Sequence, residues 1–172
     1  MNIMKNLEVK KASRGDVEYV ISLLKEVAQW LKSNEIKQWS YLLEGGEDEE
    51  IKKSIQQNDT YLVLQEGELI ATFSLSSEQN EWDHHIFGKD TSSDSLYLHR
   101  LAVRPAYMNR GIGKRILRWV EENSQSKKQF LKLDCVADNP RLNQFYRESG
   151  FEYLGETDNH CKYQKALSVE AG

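Results

Sequence analysis

The 172-residue chain is poor in cysteine, has no long apolar run and carries no excess of positive charge. Its two cysteines, Cys135 and Cys161, lie in unrelated segments without metal-ligand spacing, which points to no metal and fits a reducing cytoplasm. No apolar stretch approaches the ~20 residues of a membrane span, and the opening Met-Asn-Ile-Met-Lys-Asn has no apolar signal core. Charged residues make up 29% and the mean hydropathy is −0.69, so a soluble chain with no membrane partner is expected. A net charge of −4 and a pI near 5.6 argue against nucleic acid as a partner, since that would want basic charge over a whole face. No internal repeat, linker or low-complexity segment is visible. What is present is 39% apolar content and four tryptophans, enough for one sizeable core. One domain over residues 1–172 is expected, its last few residues fraying.

The most informative stretch begins at Leu96. An apolar strand, Leu96-Tyr97-Leu98-His99-Arg100-Leu101-Ala102-Val103, runs through Arg104-Pro105-Ala106-Tyr107-Met108-Asn109 into Arg110-Gly111-Ile112-Gly113-Lys114-Arg115 and a helical pattern. Glycines at such a junction let backbone N–H groups close on an oxyanion, and the helix N-terminus adds partial positive charge. Arg100, Arg104, Arg110, Lys114, Arg115 and Arg118 fall here without one Asp or Glu among them. The patch suits one small polyanion. A P-loop would need glycine where Met108 stands and Ser or Thr where Arg115 stands. The dinucleotide fingerprint would need a third glycine at Ile116.

Around this stretch the periodicities are regular. Leu7-Glu8-Val9-Lys10 alternates as a short strand, and Ser13-Arg14-Gly15-Asp16 is a capping box. Val17, Val20, Ile21, Leu24, Val27, Ala28 and Leu31 then recur at helical spacing and form a core face. Glu44 to Glu50 holds five acids around two glycines and reads as a solvated loop entering a second helix. Tyr61-Leu62-Val63-Leu64, a Glu66-Gly67 turn and Leu69 to Leu75 predict a hairpin. Glu78 to Asp94, with Glu81-Trp82-Asp83-His84-His85, reads as an irregular insertion loop over a cleft. Ile112, Ile116, Trp119 and Val120 form another helix face. Phe130 to Val136 is a strand, followed by Asn139-Pro140 as the cap and first position of a helix that ends at Gly150. Phe151 to Leu154 and Cys161 to Gln164 close the sheet around a turn at Asp158-Asn159.

Two motifs together carry a family resemblance. The apolar-x-Val-x-Pro strand with its Gly111-x-Gly113 loop, followed by Asn139, then Phe145-Tyr146, then Gly150-Phe151, resembles the GNAT N-acetyltransferase superfamily. The resemblance implies an α/β (α+β) fold with a mixed, mostly antiparallel sheet of six to seven strands. That sheet would be splayed in the middle, at the Val103 and Cys135 strands, with helices on both faces. It also implies transfer of an acetyl group from acetyl-CoA to a primary amine, on a small molecule or a peptide, by direct attack without a covalent enzyme intermediate. The residues agree, because no serine stands in a nucleophile elbow and Cys135 alternates with Leu131 and Leu133 toward the core. Monomer and homodimer both remain open. A non-catalytic acyl-CoA-binding module is the alternative that keeps the loop without needing the catalytic residues.

The resemblance also assigns roles. The backbone of Met108, Asn109, Arg110, Gly111, Ile112, Gly113 and Lys114 would hold the pyrophosphate. The edge of Leu101, Ala102 and Val103 would hold the pantetheine arm, with Asn139 and Asn143 opposite. Met108 stands where the family usually has Arg or Gln, so the grip is expected through backbone amides. Tyr146 would serve the departing thiolate. A phenol near pKa 10 faces a thiol near 8.5, so full proton transfer is uphill by about 2 kcal/mol and a hydrogen bond is the milder alternative. Asp134 and His99 compete as the base that takes a proton from the amine, directly or through a water. Trp30 and Trp39 are the acceptor-side candidates, with packing as the alternative role.

Overall fold

The computed structural model describes residues 7–36, 38–39, 43, 45–91, 94–124 and 128–167. The elements are β1 (Leu7–Lys11), α1 (Val17–Ser33), α2 (Asp48–Gln56), β2 (Thr60–Gln65), β3 (Glu68–Ser76), α3 (Glu81–Phe87), β4 (Ser95–Val103), α4 (Ile112–Ser124), β5 (Phe130–Val136), α5 (Pro140–Glu148), β6 (Glu152–Thr157) and β7 (His160–Ala166). The seven strands hydrogen-bond in the order β1-β2-β3-β4-β5-β7-β6. The pairs β1–β2, β2–β3, β5–β7 and β6–β7 are antiparallel, and β4–β5 is parallel. This is the mixed, mostly antiparallel sheet that the family resemblance implies. The β4–β5 ladder covers Ser95↔Phe130 to Tyr97↔Lys132. The frayed tail expected at the C-terminus, like Glu44 of the acidic stretch, lies outside the described residues.

The chain divides into two compact units, one drawn from Met1–Leu75 and His99–Arg115, the other from Ser76–Leu98 and Ile116–Gly172. In the first, the predicted face of α1 is buried with Leu23 beside it, and it packs with Ile51 and Ile55 of α2, Leu62 of β2 and Ala102 of β4. Each Val, Leu or Ile side chain so removed from water contributes about 1.5–3 kcal/mol. The Ser13 backbone N–H and hydroxyl both donate to Asp16 Oδ2, at 2.8 and 3.0 Å, which fixes where the helical turn begins. Glu66 and Gly67 both have positive φ, as the tight turn of a two-residue hairpin requires.

In the second unit, β5 pairs with β7 so that Asp134 stands opposite Lys162 and Cys135 opposite Cys161. The turn between β6 and β7 is again two left-handed residues, Asp158 and Asn159. The Asn139 side chain caps α5 by accepting from the Leu142 N–H at 3.2 Å, and Pro140 takes the first helical position. Gly150 (φ +91) ends the helix, and the Phe151 N–H closes it on the Tyr146 carbonyl at 3.1 Å.

One expectation needs correction. Glu78 to Asp94 is not irregular throughout, because Glu81–Phe87 forms the helix α3. Its start is a reciprocal box in which Asn80 Oδ1 accepts from the Asp83 N–H at 2.8 Å and Asp83 Oδ2 accepts from the Asn80 N–H at 3.1 Å. Within β4, Arg100 adopts φ +49 in mid-strand. A left-handed residue there breaks the two-residue period, so facing cannot be counted through it from His99 to Leu101.

Candidate active site

The donor-side stretch belongs to the first unit. After β4, a 3₁₀ turn over Pro105–Tyr107 leads to Met108, which is extended at φ −66 and ψ 153. Asn109 (φ +64) and Gly111 (φ +77) are left-handed, and α4 begins at Ile112. A Cβ on Gly111 would meet nothing within 4 Å, so glycine is required there for its backbone angle rather than for space. The Arg115 N–H bonds to the Gly111 carbonyl at 3.2 Å, opening the helical ladder. The N–H groups of the first turn precede that ladder and have no intrahelical acceptor, which is the geometry an oxyanion needs.

Side chains divide the basic stretch into separate roles. Arg104 is held in a fork by Glu26, with Nε to Oε2 at 3.2 Å and Nη2 to Oε1 at 3.1 Å, and it also donates to the Leu69 carbonyl. That fork holds the Arg104 pKa above its ordinary value. Arg100 reaches Glu47 at 3.2 Å. Met108 packs against the core of the first unit. Arg110 lies over the Tyr107 ring at 5.4 Å, and the Tyr107 hydroxyl donates to Glu68 Oε2 at 2.6 Å. Arg110 and Lys114 are exposed beside the loop.

Tyr146, on α5 in the second unit, is 5% exposed. Its ring lies 5.2 Å from that of Phe145, 5.7 Å from Phe151 and 5.9 Å from Tyr163. Its hydroxyl makes no hydrogen bond among the described residues, whereas the Tyr163 hydroxyl donates to Asn143 Oδ1 at 2.7 Å. Burial pushes the Tyr146 pKa well above the usual phenol value, with smaller contributions from Cys135 and Asp134 in the same direction. Asp134 therefore shares an electrostatic neighbourhood with Tyr146. Its Oδ2 accepts from the Trp82 indole N–H at 3.1 Å.

Asn143 has no capacity left for a ligand. Its Nδ2 donates to the Val136 and Asn139 carbonyls at 3.1 and 2.9 Å, and its Oδ1 accepts from the Tyr163 hydroxyl and the Cys135 thiol. Two donors and two acceptor positions are all that an amide offers. It braces α5 on β5 and β7. Cys135 is buried, and desolvation pushes its thiol up to about 12, so it is inert as the alternation predicts. Trp30 and Trp39 both pack against the core of the first unit, which favours the packing role. His99 is half-buried in β4, and Leu101 and Val103 flank the buried Ala102. Among the described residues no three His, Cys, Asp or Glu side chains converge as metal ligands, and no helix is long and apolar enough to cross a membrane.

The contact of Trp82 with Asp134, on a helix, is what the sequence reading missed. The signal was available in Asn80-x-x-Asp83, a capping pair, with Gly88 (φ +78) one residue beyond Phe87.

Comparison with known proteins places these features. Residues 24–151 match the model of the acetyltransferase (GNAT) family. The chain is 35% identical over 157 residues to YesJ of Bacillus subtilis (strain 168), an uncharacterised N-acetyltransferase, covering 90% of this chain and 87% of that one. A GNAT-family acetyltransferase from Listeria monocytogenes 4b F2365 superposes with a TM-score of 0.81 at 29% identity, covering 94% and 95% of the two chains. PaiA N-acetyltransferase from Thermoplasma acidophilum, solved in complex with coenzyme A, shares the fold with a TM-score of 0.74 at 21% identity over 93% and 98%. The strand, glycine loop and capped α5 are thus parts of an acyltransferase, and the chain belongs to the acetyltransferase (GNAT) family, whose acyl donor is acetyl-CoA.

Proposed function

We propose that the chain transfers an acetyl group from acetyl-CoA to a primary amine by direct attack in a ternary complex, acting as one N-acetyltransferase domain. The observation that carries this reading is the run from β4 through left-handed Asn109 and Gly111 into the first turn of α4. Backbone amides from Asn109 to Lys114 bind the pyrophosphate, and Arg110 and Lys114 add charge. The packing of the half-buried Met108 against the core supports a grip by backbone rather than by its side chain. The β4 edge at Leu101 to Val103 holds the pantetheine arm. With Asn143 spent internally and Asn139 Oδ1 used as a cap, the strand edge carries more of that binding than the two amides.

When bound, acetyl-CoA supplies the activated thioester. Tyr146 donates a hydrogen bond to the departing thiolate from a hydroxyl committed to no described group. Burial that raises its pKa makes complete proton transfer costlier than the ~2 kcal/mol of the reference values, which favours the hydrogen-bonding role. Asp134 takes the proton from the amine, with His99 as the competing base. A cytoplasmic setting is supported by two buried free thiols that face each other across β5 and β7.

Acetyl-CoA at 100 times its dissociation constant raises the unfolding free energy by about 2.7 kcal/mol, read as an increased melting temperature. A panel of peptide, polyamine and amino-acid amines, followed by thiol release, identifies the acceptor. No stabilisation by acetyl-CoA at millimolar concentration refutes the reading.

A further inference from the structure

The α3 helix carries a side chain that reaches the proposed base. Trp82 is the second residue of α3, and its Nε1–H donates to Asp134 Oδ2 across 52 residues of sequence. The helix is fixed at both ends. The Asn80–Asp83 box sets its start, with Asp83 itself 1% exposed. Gln79 Nε2 bonds the Gly88 carbonyl at 2.8 Å and the Tyr97 hydroxyl at 3.0 Å, while Gln79 Oε1 accepts from the Asp90 N–H at 2.8 Å. The indole is also held sideways. His160 meets it edge-on at 4.8 Å, and His85 lies tilted at 5.8 Å. Both histidines are anchored on Asp158, His85 to its carboxylate at 3.2 Å and His160 to its carbonyl at 2.8 Å.

An indole N–H only donates, and it binds an ionised carboxylate more strongly than a protonated one. We propose that Trp82 is a positioning residue for Asp134, fixing the orientation of its carboxylate and favouring the ionised form that can accept a proton. The inference rests on the reading of Asp134 as the base. The titratable and charged groups around the pair include Tyr146 and Arg147 on α5, Cys135 on β5, Lys162 and His160 on β7, His85 on α3, and Asp158 in the β6–β7 turn.

The test is a pH titration of the intact protein by NMR, following the four indole N–H signals and the Asp134 carboxyl carbon. Trp82→Phe keeps the ring against both histidines and assigns the Trp82 signal by its loss. In the wild type that signal moves together with the Asp134 carboxyl carbon, in one shared transition. Asp134→Asn abolishes the carboxyl transition. Trp82→Phe raises the Asp134 midpoint by about 0.5–1 unit. With the best amine of the panel it lowers kcat by about five- to tenfold and leaves the KM for acetyl-CoA unchanged. An indole signal without the carboxyl transition, or an Asp134 midpoint unmoved in Trp82→Phe, overturns the positioning role by itself. Wild-type turnover in Asp134→Asn with the NMR coupling intact overturns the base instead.

Discussion

Replacing Tyr146 by phenylalanine separates catalysis from packing more cleanly than any other single change in this chain. The ring contacts to Phe145, Phe151 and Tyr163 do not involve the hydroxyl, so Phe keeps them. The hydroxyl donates to no described group, so its removal strands no partner. The variant should therefore be about as stable as the wild type, within about 1 kcal/mol. Turnover behaves oppositely. A positioned proton or hydrogen-bond donor contributes at least ~10²-fold, so kcat falls by about that factor, equivalent to about 2.7 kcal/mol. Binding of acetyl-CoA, measured by calorimetry, should change little. Thiol release with the best amine of the panel, alongside a urea melt, decides the matter. A melting temperature several degrees lower with kcat unchanged would make Tyr146 a packing residue, and the binding-module alternative would regain ground.

Asn143→Ala has the reverse profile. It removes the acceptor that the buried Tyr163 hydroxyl uses at 2.7 Å and the bond from the α5 amide to the Val136 carbonyl, so a loss of about 2–3 kcal/mol in urea unfolding is expected, and a loss under ~1 kcal/mol would refute the bracing role. Alkaline stability follows from the raised pKa values. Between about pH 8.5 and 12 the unfolded chain releases the Cys135 thiol and Tyr97 phenol protons that the folded chain keeps until about 12. The unfolded state then binds fewer protons, so stability that is complete below pH 8.5 is lost as pH rises toward 12. Cys135→Ala should flatten this slope by up to about 1.4 kcal/mol per pH unit, and parallel unfolding curves for variant and wild type would contradict it.

Local chemistry made much of the molecule legible in one dimension. The α1 face, the Glu66-Gly67 and Asp158-Asn159 turns, the Asn139-Pro140 start and Gly150 stop of α5, and the strand–loop–helix around Gly111 all depend on contacts within a few residues. Periodicity and turn residues record such contacts directly. Reading α3 as loop was an error of the same local kind, since Asn80, Asp83 and Gly88 carried the signal.

What the sequence could not record was the partnering of side chains far apart along the chain. It showed an uninterrupted basic stretch, but Glu26, 78 residues away, withdraws Arg104 from it. It offered Asn143 as a ligand, but Tyr163, Cys135 and the Val136 carbonyl consume that amide. It could not tell that Tyr146 keeps its hydroxyl uncommitted while Tyr163 does not, or that Trp82 meets Asp134. The sequence by itself determined the family and every described element but α3, together with the strand–glycine-loop–helix, because these are properties of neighbouring residues. The tertiary structure alone decided which polar groups remain available for chemistry, because hydrogen-bonding capacity is finite and distant residues compete for it.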